Sequence, residues 1–203
     1  RRQRQMCIRD STQLVVISYG SNDMRVVAQL ATYNAHLGTG KKVQGRSRKD
    51  VEQSLITILK DVRKRVPNAL ILTVGYLPLV QEKHCVNLPN MTPFENTRVR
   101  HLREAADQAL TTASKTVARM SEQQWKDNGV EVVSAGISNV PFRQVHGHDL
   151  CAMGHKRFIL NREKTGVRYH YTEPGLSYIA DHVAWKYLSE QLQWSRQMVY
   201  LGR

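Results

Sequence analysis

Three groups of side chains in this chain are of types that can do chemistry. The first is Gly20, Asn22 and Asp23, at the end of an apolar run over residues 14–19. An asparagine amide just past a strand end can donate a hydrogen bond to a developing oxyanion. Such a donor is worth roughly a hundred- to a thousandfold in rate. Glycine beside it lets the backbone come close to a substrate. The same residues also read as a plain strand-ending turn in which Asn22 caps the next helix. The second group is His170 with Thr172, Glu173, Pro174 and Gly175. A histidine on the lip of a helix start can reach over a sheet edge and act as general base. Its bland counterpart is a loop histidine of no consequence. The third group is His146, His148 and Asp149, with His155 downstream. Three imidazoles and a carboxylate suggest a metal site. Asp149 directly follows His148, however, so the H-x-H-x-D-H spacing fails and no metal is expected. No cofactor-binding residue is expected either. Gly38-Thr39-Gly40-Lys41 looks like a phosphate loop, but Ala35 and Lys42 break the G-x-x-x-x-G-K-[ST] spacing.

Secondary structure has to hold these groups in place. Residues 13–19 form a short β-branched run stopped by Gly20-Ser21-Asn22-Asp23, the pattern of a buried strand in a parallel sheet. A helix is predicted over residues 24–36, then a loop. Residues 47–66 make an amphipathic helix with Val51, Leu55, Ile58, Leu59 and Val62 on one face. Ser47 with Asp50 starts it and Pro67 ends it. Residues 69–76 are a second apolar strand. Thr92-Pro93-Phe94-Glu95 opens the longest helix, with Thr92 as cap and Glu95 at the third position. Val99, Leu102, Ala106, Leu110, Ala113, Val117 and Met120 give that helix a core-facing stripe. Asn128-Gly129 turns into a third strand at residues 130–134. Residues 135–171 read as long and mostly irregular, and loops of that length are usually functional or disordered. Thr172 opens the last helix, whose Ile179, Val183, Ala184, Leu188 and Leu192 can face the sheet. The order β-α-α-β-α-β-loop-α predicts an α/β fold: a doubly wound parallel sheet in three α/β/α layers, with polar clusters at its strand ends. Ligands bind at such strand ends.

Composition sets outer bounds. The chain has 203 residues, 41% of them hydrophobic, which fits one ordinary domain with a sizeable core. No apolar run approaches the roughly 18 residues of a membrane helix. The formal net charge of +13 favours anionic neighbours such as acidic polymers, nucleic acid or anionic membrane surfaces. The densest basic stretch, Lys41, Lys42, Arg46, Arg48 and Lys49, carries no interleaved aromatics, as a single-strand binder would want. It reads as a solvated surface, with no specific nucleic-acid partner. Cys7, Cys85 and Cys151 form no C-x-x-C pair, which excludes a zinc ribbon or thioredoxin motif. Three free thiols would suit the cytosol, and one disulfide with a leftover thiol would suit secretion. Asn90-Met91-Thr92 is a glycosylation acceptor pattern that matters only after secretion. Residues 1–11 are charged and aperiodic and resemble translated adapter sequence more than protein. They are set apart as a non-native or disordered leader to a single domain over residues 12–203.

Taken together, the clusters resemble the SGNH hydrolases, also called GDSL-type esterases and lipases. Gly20-Ser21-Asn22-Asp23 after its strand looks like that family's G-x-N-D block. His170-Tyr171-Thr172-Glu173-Pro174-Gly175, continuing into Tyr178-Ile179-Ala180, looks like its final block, with Gly five residues after the catalytic His and then a helix. Val74-Gly75-Tyr76 with Pro78, Cys85, and Phe142 through Gly147-His148-Asp149-Leu150-Cys151 resemble the secreted actinobacterial-type branch. The resemblance spans residues 13–192. It implies that Asn22 donates to an oxyanion hole, that Gly20 shapes the floor of that hole, and that His170 is general base for a serine. It also implies a structural loop around Asp149, tied by a Cys85–Cys151 disulfide, and a secreted enzyme without metal or cofactor.

Two departures qualify the resemblance. The family's opening G-D-S block should lie a strand and several tens of residues upstream of Gly20, and it is not in this chain, nor is the second block's glycine. Arg9-Asp10-Ser11 precedes its strand, whereas a nucleophile belongs on the turn after one, so Ser11 is rejected. The expectation is an N-terminally truncated esterase. The second departure is Val167, which stands where the family's D-x-x-H places an aspartate. Its carbonyl could orient the imidazole instead, as in some relatives of that branch. The sequence therefore predicts a monomeric serine esterase or lipase acting on carboxylic esters of lipids or acylated sugars through an acyl-enzyme. Ser21 as the nucleophile is a variant of that reading. The alternatives are a non-catalytic module of the same fold that uses its basic surface on an anionic surface or polymer, and a metal-dependent hydrolase built on His146, His148 and His155.

Overall fold

The structure, a computed structural model, describes residues 12–35, 42–80, 85, 88, 90–129, 135–142, 145, 147–152, 158–159 and 170–200. Its elements are β1 (Leu14–Ile17), α1 (Val26–Ala35), α2 (Arg48–Arg65), β2 (Leu70–Val74), α3 (Pro93–Asp127), β3 (Ile137–Val140) and α4 (Glu173–Tyr200). The three strands lie in the order β1-β2-β3, all parallel. Helices must cross over between parallel neighbours, and α1 with α2, then α3, make the two crossovers.

The layering follows from neighbouring side chains of β3. Asn139 donates to Thr111 Oγ1 on α3 at 2.8 Å, and Ser138 donates to Glu190 on α4 at 3.1 Å. Successive strand residues point to opposite faces, so α3 and α4 cover opposite sides of the sheet. The α1–α2–α3 side packs as one layer. β2 is buried at every position, as an apolar strand covered on both faces should be. Its polar residue, Thr73, shares a bond of 2.7 Å with Ser114 on α3 and donates to Asn139 at 2.9 Å.

Caps form where the sequence places them. Ser47 accepts from the Asp50 amide. Thr92 and Glu95 make a reciprocal capping box, with Thr92 N donating to the Glu95 carboxylate at 2.9 Å. Each satisfies amides that the first helical turn leaves unpaired. Beyond the other end of α2, Arg63 fans onto the Val66, Pro67, Ala69, Ala135 and Gly136 carbonyls, tying the entries of β2 and β3 together. Burial lowers its pKa to about 10. Arg63 and the buried Arg103 therefore do not belong to the solvated basic surface that composition suggested.

Four expectations are corrected. β1 is an edge strand instead of a buried one: it pairs with β2 alone among the described residues, and Val16 is 48% exposed. A strand lies at Ile137–Val140, inside the stretch read as irregular, while residues 130–134 fall outside the described set. Only Ile137 and Val140 there are apolar, and the cross-layer bonds of Ser138 and Asn139 supply what the hydrophobic pattern lacks. In α4, Ile179 and Val183 pack against the core, but Ala184, Leu188 and Leu192 are exposed. The helix contacts β2 and β3, so its stripe runs beyond the strands it covers. Met120 is likewise exposed. The 35 residues of α3 span about 52 Å, several times the length of a four- or five-residue strand.

A disulfide and a close backbone approach hold the loops above the sheet. Cys85 and Cys151 are joined by a disulfide across 66 residues. Replacing both by alanine is expected to lower the unfolding free energy by about 2–4 kcal/mol, because the open chain regains loop entropy; urea denaturation measures it. Gly175 sits against Phe158, and a Cβ there would fall on the Phe158 carbonyl oxygen. That oxygen accepts from the Thr172 amide at 2.8 Å. Gly175→Ala is therefore expected to destabilise by about 1–3 kcal/mol, with a lower Tm, since backbone must move to admit the methyl.

Candidate active site

The site is built where β1 ends. Gly20 adopts φ +115°, a conformation that favours glycine. The chain then turns tightly, the Gly20, Ser21 and Asn22 carbonyls accepting from the Met24, Val26 and Arg25 amides at 3.0–3.1 Å. These backbone bonds start α1. The cap role open to Asn22 in the sequence is not taken: α1 begins four residues later, and the Asn22 amide is exposed without a protein partner among the described residues. Asp23 pairs with Arg46 at 3.5 Å and accepts the Arg46 amide at 2.9 Å, so it anchors the turn.

His170 reaches the same place from the far end of the chain. Tyr171 forms an antiparallel bridge with Ile159, and Thr172 caps α4 by accepting the Gly175 amide at 3.2 Å. The Tyr171 hydroxyl takes a hydrogen bond from the Leu77 amide just beyond β2, and burial pushes its pKa up to about 12. His170 is thus held between a strand exit and a helix start.

A cavity of about 240 Å³ brings the two segments together. Its wall is made by Ser21, Asn22, Val26, Val27, Tyr76, Leu79, Arg103, His170 and Tyr171. Asn22 and His170, which lie 148 positions apart in the sequence, share this cavity. Gly20 is buried and is not among its lining residues; a Cβ there would stand 3.1 Å from Val51.

The other histidine cluster has a different fate. His148 stacks on Phe158 at 4.2 Å, and the buried Asp149 accepts the Cys151 amide at 3.1 Å. Both belong to the disulfide-tied loop. His146, His155, Val167, Cys7 and residues 1–11 lie outside the described residues.

Sequence reasoning missed Tyr76, Arg103 and Tyr171. Arg103 lies on the buried side of α3, between Val99 and Ala106. Its Nη1 donates to the Tyr76 and Phe142 carbonyls at 2.9 and 2.6 Å and pairs with Asp107 at 2.9 Å. Asp107 in turn accepts the Tyr76 amide at 3.0 Å. Burial pushes the Asp107 carboxyl up to about 6 against the pull of Arg103. The one signal for this pair was its i, i+4 spacing amid apolar positions.

Comparison with known proteins places the fold. No family model matches the chain, and no curated protein is similar to it in sequence. Among solved structures, a phospholipase A1 from Streptomyces albidoflavus NA297 superposes with TM-score 0.57 at 17% identity, over 87% of this chain and 70% of that one. An extracellular lipase from Streptomyces rimosus gives 0.55 at 16%, over 85% and 68%. The fold is that of these two lipases. The three-layer α/β/α arrangement expected from the order of elements is thereby shown, and the Cys85–Cys151 bond expected from the resemblance is present.

Proposed function

We propose that this chain carries the oxyanion-binding and general-base parts of an SGNH-type serine esterase or lipase. The observation that carries the reading is that Asn22 and His170 both line one small cavity at the carboxyl end of a parallel sheet. Ligands of open α/β folds bind at that end. The lipase fold of the two Streptomyces enzymes supports it.

In this scheme His170 takes the proton of a serine hydroxyl as its oxygen attacks an ester carbonyl. The carbonyl oxygen becomes an oxyanion and accepts from the Asn22 amide. His170 then protonates the departing alkoxide, leaving an acyl-enzyme. Water repeats the sequence, with His170 as base, and releases the carboxylic acid. Val26, Val27 and Leu79 give the cavity an apolar side that suits an acyl group, and the family resemblance adds carboxylic esters of lipids or acylated sugars as the substrates. The scheme uses no metal or cofactor. The disulfide suits an oxidising, extracellular setting.

The nucleophile in this reading is a serine on a G-D-S turn outside residues 1–203. A second reading is favoured by one observation: Ser21 itself lines the cavity with His170. A fluorophosphonate probe separates the two, applied to this chain and to an N-terminally extended form. Labelling of the extended form alone, at an added serine, supports the first reading. Labelling of this chain at Ser21 supports the second. Failure of both forms to label sinks the esterase reading.

A further inference from the structure

Arg103 lines the cavity of Asn22 and His170, and the hydrolytic scheme leaves it without a role. Its side chain is only 7% exposed. Among the described residues its hydrogen bonds and ion pair, to the Tyr76 carbonyl, the Phe142 carbonyl and Asp107, are all made by Nη1. Among the described residues Nε is buried without a partner, and the bonds of Arg103 leave Nη2 without one as well. A carboxylate commonly grips a guanidinium with both oxygens. Asp107 does not, because its other oxygen accepts the Tyr76 amide. The Nε–Nη2 edge, the side of the fork that matches an oxoanion, is therefore unpartnered among the described residues, with Nε itself buried. Buried polar groups without partners are rare in folded proteins and call for an explanation.

The surroundings favour an anion. No carboxylate lines the smaller cavity among the described residues. Arg103 also borders a larger cavity of about 820 Å³ between α3 and β3, where Arg48 and Lys115 stand beside Glu104 and Asp107.

We propose that Arg103 binds an oxoanion, a carboxylate or phosphate group, on the ligand that occupies the Asn22–His170 cavity. The ester handled here then carries a negative group close to its acyl bond. That last step rests on the esterase reading; the oxoanion site itself does not.

The test is binding to this chain, followed by NMR at the His170 ring and the Arg103 Nε–H. The probes are inorganic phosphate, dihexanoylphosphatidic acid and dihexanoylglycerol, each at matched ionic strength in chloride. Saturable shifts of both resonances with phosphate show that a free oxoanion suffices. Shifts with the phosphatidic acid but not phosphate assign the site to a lipid headgroup. Arg103→Lys, which keeps the charge but loses the fork, should weaken binding about tenfold or more, and Arg103→Gln should abolish it. The proposal is overturned if neither anionic probe shifts these resonances, if the neutral dihexanoylglycerol binds as tightly as the phosphatidic acid, or if folded variants bind like the parent. The last outcome would assign binding to the general +13 surface. Should a variant not fold, the Arg103 Nε–H signal of the unaltered chain decides alone. Because no turnover is needed, failure of fluorophosphonate labelling leaves this result independent.

Discussion

His170→Ala is expected to lower ester turnover by about ten-thousandfold or more, in whichever form of the protein labels with a fluorophosphonate. Without the imidazole, the serine proton has no acceptor during attack and the leaving alkoxide has no donor. The fold should be untouched, because the His170 ring has no hydrogen-bond partner among the described residues and is exposed. Asn22→Ala should act differently. It removes one donor to the oxyanion, so kcat should fall by roughly a hundred- to a thousandfold with little change in KM. Its side chain caps nothing among the described residues, and the turn is held by the Gly20, Ser21 and Asn22 carbonyls, so stability should stay within about 0.5 kcal/mol. Steady-state kinetics on a short-chain ester, paired with thermal melts, would check both. A large loss of Tm in either variant would mean that the residue is structural, and an unchanged kcat would remove it from the chemistry.

These two candidates stand out in the sequence because each sits where a pattern breaks. Asn22 follows an apolar strand, and His170 precedes a helix opened by Thr172, with Gly175 two residues into it. Both breaks have local physical causes, in the turn at Gly20 and the close approach of Phe158 to Gly175. The long helices were legible for the same reason: Ser47, Thr92 and Glu95 satisfy amides that a helix start must satisfy somewhere. β3 was not legible. Its Ser138 and Asn139 are paid for by Glu190, Thr111 and Thr73, residues up to 66 positions away, and no window of sequence contains those partners. The edge position of β1 among the described strands was hidden too. A β-branched run reports that a strand forms, not how many neighbours it has. The exposed Trp185, Leu188 and Leu192 of α4 carry the same lesson, since periodicity names a face without saying what lies under it.

Arg103 and Asp107 were the largest omission, and they lead to the second large effect. Asp107→Ala is expected to cost about 3–5 kcal/mol at pH 7, because it leaves the Arg103 charge buried with no carboxylate and the Tyr76 amide with no acceptor. A guanidinium does not relieve that by losing its proton. Asp107→Asn keeps an acceptor for Tyr76 and should lose less. The pair also sets a pH signature. The Asp107 carboxyl titrates near 6 in the folded chain against 3.8 as its ordinary value, because burial outweighs the attraction of Arg103. Between those values the folded state holds a proton that the unfolded state has released. This group's contribution is therefore most favourable below about pH 4 and falls as pH rises through 6, by up to about 3 kcal/mol. Urea denaturation from pH 4 to 7 should show that decline in the parent chain, and the difference curve against Asp107→Asn should isolate it. A difference curve that is flat, or that rises with pH, would mean that Arg103 holds Asp107 ionised throughout. The clip between the exits of β2 and β3 would then be a simple ion pair, insensitive to mild acid.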